Sequence, residues 1–289
     1  MAMPNDIKVI DLMLSVPGED NSQWYDFMKP LLMDEESRNM FKMPAQYMFK
    51  DIPDSGKKED YIAYTIEQMD KHNIERAMLG IDDHNEIAKE ALACYPDRFF
   101  ASLEVNPNNG MDEVRKIVRL HKDYGIKAIT GFASGLCPQV PYNDKKWYPI
   151  YSKCVELDIP FCPCVGVPGP RLPMAPQKVE LLDEVCWFFP ELKVVMRHGA
   201  EPWEKLAWKL MLKYPNLYYM TSAFAPKYYP TEIIDFANSR GADKIMYAGY
   251  FPMGLSLDRI FKDMPNVPFK DEVWPKFLRE NARKVFKLD

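Results

Sequence analysis

No apolar run in this sequence approaches the roughly 20 residues that a membrane-spanning helix needs. Basic runs and aromatic–basic patches are missing as well. With 37 Lys and Arg against 42 Asp and Glu, the formal net charge is -5, and nothing marks a nucleic-acid surface. The opening residues, 1–6, hold no basic segment followed by an apolar one, so no secretory signal is read there and a cytoplasmic location is expected. The six cysteines are dilute and lack the Cys-x-x-Cys spacing of zinc sites. Most should be small buried hydrophobes. What is abundant is Met, Tyr and Phe, at 18, 16 and 16 residues. These fill cores, and they also line pockets for organic ligands.

Short β-branched runs alternate with longer amphipathic ones along the 289 residues. Strands are expected at 7–13, 76–81, 99–105, 127–132, 160–167, 192–197, 217–221 and 244–248. Helices are expected between them and after the last. The periodicity switches from two to 3.6 and back eight times. Eight such units predict a single-domain (β/α)8 TIM barrel over 1–289, a length that one barrel commonly takes. Residues 24–56 interrupt the pattern. They are too apolar for a free loop, with Trp24, Tyr25, Phe27, Met28, Met40, Phe41, Met43, Tyr47, Met48 and Phe49, and should cover the barrel mouth or meet another subunit.

In such barrels the chemistry sits at the C-terminal strand ends. That rule selects Met13, Ser15, His84, Glu104, Cys162, Cys164, Arg197, His198, Ser222 and Tyr250. Three segments at these places carry a resemblance: Pro190-Glu191-Leu192-Lys193-Val194-Val195-Met196-Arg197-His198-Gly199, Asn216-Leu217-Tyr218-Tyr219-Met220-Thr221-Ser222, and the closing run from Phe277 to Phe286. Together they resemble the amidohydrolase-related family that includes aminocarboxymuconate-semialdehyde decarboxylase and pyrone-dicarboxylate lactonase. The resemblance implies an amidohydrolase-like barrel with a metal site. Yet Met13 and Ser15 follow Asp11 where the family carries two histidines. Cys164 stands at the strand-5 histidine and Tyr250 at the strand-8 aspartate. His198 alone is retained. Zinc asks for at least three Cys, His or carboxylate ligands, so the family's metal mechanism does not carry over.

The residues leave several roles open. His198 can move protons near neutral pH, with Glu201 or Glu104 to orient it. Cys162 and Cys164 share a strand face. They are core hydrophobes, or Cys164 is a thiolate nucleophile, or both join His198 in a rebuilt metal site. Tyr250 is a hydrogen-bond donor to an oxyanion or an apolar plug. The Asp82–His84 turn reads as a helix N-cap, from which His84 could still reach the mouth. Arg171, in a proline-rich loop, can clamp a carboxylate or stand solvated. Alternation from His198 is expected to turn Arg197 away from the barrel axis. Trp24 and Tyr228 are candidate pocket walls.

The expected function is that of a metal-independent hydrolase acting on a carbonyl- or carboxylate-bearing, cyclic or aromatic small molecule. His198, Tyr250 and Cys164 would be catalytic. Met13, Ser15, Trp24, His84, Glu104, Cys162, Arg171, Ser222 and Tyr228 would bind substrate. No cofactor is expected, with a divalent metal such as zinc as the alternative. The competing readings are a decarboxylase or carbon–carbon lyase with a rebuilt Cys/His metal site, and an inactive ligand-binding barrel. A homo-oligomer is the expected assembly.

Overall fold

Eight short strands form where the β-branched and aromatic runs lie: β1 (Val9–Asp11), β2 (Ile74–Ile81), β3 (Phe99–Glu104), β4 (Ala128–Gly131), β5 (Phe161–Pro163), β6 (Val194–Met196), β7 (Leu217–Met220) and β8 (Ile245–Met246). The chain is seen here in a computed structural model that describes residues 3–4, 6–40 and 43–288, so Phe41 of the insert lies outside the described residues. The strands pair in parallel in the order β1 to β8. Leu14 forms a parallel bridge with Phe251, and the Ser15 N–H donates to the Phe251 carbonyl at 3.0 Å, which joins the last strand to the first. The (β/α)8 reading of the sequence is therefore the fold.

The joining seam rests on a side chain. Asp11 is fully buried, and its Oδ1 accepts from the N–H groups of Met13 at 2.9 Å and Gly249 at 2.8 Å. A carboxylate oxygen thus takes the place of a ladder carbonyl between β1 and the segment after β8. Burial lifts its pKa to about 6, against the pull of those two N–H donors. A Cβ on Gly249 would stand 2.6 Å from Asp11 Oδ2, so only glycine lets the two segments approach this closely.

Helices cross outside the sheet. After the short α1 (Glu35–Arg38) come α2 (Tyr61–Lys71), α3 (Glu86–Cys94), α4 (Met111–Tyr124), α5 (Tyr148–Leu157), α6 (Leu181–Phe188), α7 (Glu204–Lys213), α8 (Thr231–Phe236), α9 (Leu257–Asp263) and α10 (Asn281–Phe286). Their starts follow ordinary capping chemistry. Asp60 caps α2, accepting from Ile62 and Ala63, and Asn85 caps α3, accepting from Ala88. No described helix is long and apolar enough to cross a membrane.

Inside the barrel, Ile10, Met78, Phe100, Cys162, Val195 and Met246 form one buried cluster with Val285 and Phe286 of α10. The last helix therefore closes the barrel floor, and Phe286 meets the Phe100 ring at 6.1 Å. Each such aromatic contributes about 1.5–3 kcal/mol through burial. The opposite, C-terminal end is where the insert lies. Its Phe49 ring stacks on Tyr250 at 5.5 Å, Phe27 meets Phe132 edge-on at 6.4 Å, and the Tyr47 hydroxyl donates to the Gly169 carbonyl at 2.6 Å. Segment 24–56 thus touches the chain beyond β4, β5 and β8.

Candidate active site

Strand alternation sets which side chains enter the mouth. Cys162 sits in the interior cluster, so Cys164, two residues on, faces the same way one layer higher. Val195 is also interior, and two residues on comes Arg197. Its guanidinium Nη2 lies 2.9 Å from Cys164 Sγ and 3.6 Å from Glu104 Oε2. The expectation that Arg197 turns outward is thus corrected. That expectation took His198 as the inward residue of a continuing strand. In fact β6 ends at Met196, and His198 turns in a left-handed conformation at φ 67°. The turn brings both residues to the mouth. Gly199 follows at φ 85°, and a Cβ there would fall 2.3 Å from the Phe224 ring.

His198 is held from β7. Ser222 Oγ accepts the His198 backbone N–H at 3.1 Å and lies 3.2 Å from Nδ1. The Ser222 hydroxyl can give its own proton to Nδ1, and in that tautomer Nε2 carries the N–H. The imidazole meets the Tyr250 ring edge-on at 5.9 Å. Neither Glu104 nor Glu201 bonds the ring among the described residues; Ser222 does this work. Burial, then the Arg197 charge, pulls the His198 pKa down to about 3, so the ring is neutral at pH 7.

The other groups are also kept in their neutral forms. Burial pushes the Cys164 thiol up to about 11, although Arg197 pulls the other way, and Cys162 up to about 12. A standing thiolate at Cys164 does not fit that environment. Burial likewise raises the Tyr250 phenol above its ordinary value. Tyr142, which no sequence pattern points to, places its hydroxyl 2.8 Å from the Gly131 carbonyl and 2.9 Å from that of Cys164, fixing the β4 and β5 ends. Gly80, on the inward face of β2, has no heavy atom within 4 Å of where a Cβ would stand. That side of the mouth has room.

The remaining sequence candidates fall elsewhere. Arg171 is paired with Asp34 and Glu36 of the insert, both at 2.8 Å, so its guanidinium is engaged by protein carboxylates. His84 is exposed in a turn where Asp82 Oδ1 accepts its backbone N–H at 2.7 Å. Tyr228 is 60% exposed, with Lys227 over its ring. Trp24 is half-buried and makes no side-chain bond among the described residues. Its neighbour Tyr25 is half-buried too, packed against Met28, Leu32 and Leu172, and desolvation together with the nearby Tyr250 phenol raises its pKa well above the ordinary value. Met13 packs against the interior cluster, and Ser15 is tied through its backbone to Phe251.

A metal does not fit these residues. No group of three or more His, Cys, Asp or Glu side chains comes together for one among the described residues. Cys164 is a thiol already in contact with a guanidinium. A dication bound to its sulfur at the usual 2.3 Å or so would sit within about 5 Å of that positive charge.

A sequence model of the amidohydrolase family matches residues 34–288. Among solved structures, an uncharacterized TIM-barrel protein from Bordetella bronchiseptica is similar at a TM-score of 0.73 and 21% identity, covering 98% of this chain and 99% of that one. The 5-carboxyvanillate decarboxylase of Novosphingobium aromaticivorans, complexed with manganese and 4-hydroxy-3-methoxy-5-nitrobenzoic acid, follows at 0.69 and 17%, covering 98% and 97%. The 4-oxalomesaconate hydratase of Rhodopseudomonas palustris is similar at 0.60 and 18%, covering 97% and 96%. At these identities the structures show a shared fold.

Proposed function

Because the chain belongs to the amidohydrolase family, whose barrels work at the C-terminal mouth, we propose that it is a metal-independent hydrolase of a carbonyl-bearing, cyclic or aromatic small molecule. One observation carries the reading: Glu104, Arg197, Cys164, His198, Ser222 and Tyr250 converge on one mouth beside aromatic side chains of the insert. Glu104 is the general base, half-exposed where water can reach it. It takes a proton from water, and the hydroxide oxygen bonds to the substrate carbonyl carbon. The carbonyl electron pair moves to oxygen, where the neutral Nε2–H of His198 and the Tyr250 phenol donate to it. Collapse of the adduct then breaks the bond to the leaving group, which takes the proton back from Glu104. His198 enters as a neutral hydrogen-bond donor, since its low pKa makes it a poor proton carrier at pH 7.

The test is a screen of lactones and aromatic esters in chelator. Glu104→Gln should lower kcat/KM about 100-fold or more, and Tyr250→Phe on the order of tenfold. Turnover unchanged in Glu104→Gln sinks the assignment. A second reading, decarboxylation, is favoured by the protonated Cys164 thiol beside a cation. Here the carbon–carboxylate bond breaks, carbon dioxide leaves, and the thiol proton passes to the carbon that keeps the electron pair. Carbon dioxide release that is lost in Cys164→Ala identifies it. Cytoplasmic location and homo-oligomeric assembly belong to the proposal as well.

A further inference from the structure

We propose that the Arg197 guanidinium takes the electrostatic place that a metal ion holds in a metal-dependent barrel, and so selects substrates that bring a carboxylate or enolate oxygen to it. The inference rests on the mouth being the working site, and it adds the class of ligand. Arg197 is 6% exposed, its Nε is buried without a hydrogen-bond partner, and its nearest anion, Glu104, stands at 3.6 Å. Its short contact is to the Cys164 sulfur, held as an uncharged thiol. An arginine cannot shed its proton at physiological pH. A buried cation with one long, half-exposed partner is under-compensated. A planar anion would supply what is missing, because a guanidinium offers paired donors in a fork that matches a carboxylate. The aromatic neighbours Tyr25, Phe49 and Tyr250 suit the ring to which such a carboxylate is attached.

Calorimetric titration of the full chain with benzoate, and with uncharged benzamide, tests this directly. Benzoate should bind saturably and benzamide should not. Arg197→Met should weaken benzoate about 30-fold, with Arg197→Lys in between, since a charge-assisted fork is lost. Glu104→Gln removes the competing anion and should tighten benzoate, which keeps the proposal testable if Arg197→Met does not fold. Arg171→Ala, at a guanidinium held by Asp34 and Glu36, should leave benzoate binding unchanged. Equal binding of benzoate and benzamide overturns the inference, and so does benzoate binding that survives Arg197→Met or weakens in Glu104→Gln. The readout is binding alone. Expected benzoate binding without any hydrolysis would sink the hydrolase reading and keep this one. Hydrolysis with no preference for benzoate over benzamide would do the reverse.

Discussion

Two groups near the mouth, the buried Asp11 and the half-buried His198, titrate in opposite senses, and their signs can be worked out. Asp11 has a folded pKa of about 6 against an ordinary 3.8. Between these values the folded chain holds more protons, so Asp11 makes stability fall as pH rises. His198 has a folded pKa of about 3 against 6.5. Between those values the unfolded chain holds more protons, so His198 makes stability rise with pH. From about pH 4 to 6 the two effects oppose each other, each near 1.4 kcal/mol per pH unit at most. Urea denaturation across this window should therefore show Asp11→Asn losing stability on acidification more steeply than the parent. His198→Gln should show the opposite slope, gaining stability as pH falls. Parallel slopes in the two variants would remove the account of both residues. At this scale the sequence named Glu104 and Ser222 through strand-end position, and His198, Cys164 and Tyr250 through strand-end position together with the family resemblance. It missed the inward Arg197 because no residue pattern announces that β6 stops at Met196 and that His198 takes a left-handed turn.

At the scale of elements, the seam between the first and last strands is the sensitive joint. β8 is two residues long, and the contact that follows it uses Asp11, Gly249, Leu14 and Phe251. Gly249→Ala would push a methyl into the Asp11 carboxylate, and overpacking of this kind costs about 2 kcal/mol. Gly80→Ala meets open space at an ordinary backbone angle, and should stay within about 0.5 kcal/mol of the parent. Thermal melts of the pair check this, and equal destabilisation would show that the seam is not special. The strands were legible because apolar runs mark them. Seven of the eight were read too long and β2 two residues too short at its start; a strand such as β5 continues as an extended loop whose residues, Cys164 among them, keep strand alternation without full pairing. The insert was legible as apolar but not as contacts. Phe49 stacks on Tyr250 and Tyr25 lies near its phenol, pairings between residues far apart in the chain that no local pattern announces.

For the molecule as a whole, the phase of eight βα units was enough to read the barrel, because any misplaced unit would leave an apolar face uncovered. What the barrel encloses was harder to read. Among the described residues no three His, Cys, Asp or Glu side chains come together to hold an ion, and Arg197 beside Cys164 sets a positive charge at the mouth. The most direct measurement takes protein purified without added metal, determines its metal content by mass spectrometry, and titrates it calorimetrically with manganese and with zinc. The account predicts substoichiometric metal and no saturable binding that depends on His198 or Cys164. Stoichiometric metal, or tight binding abolished by His198→Gln, would contradict it.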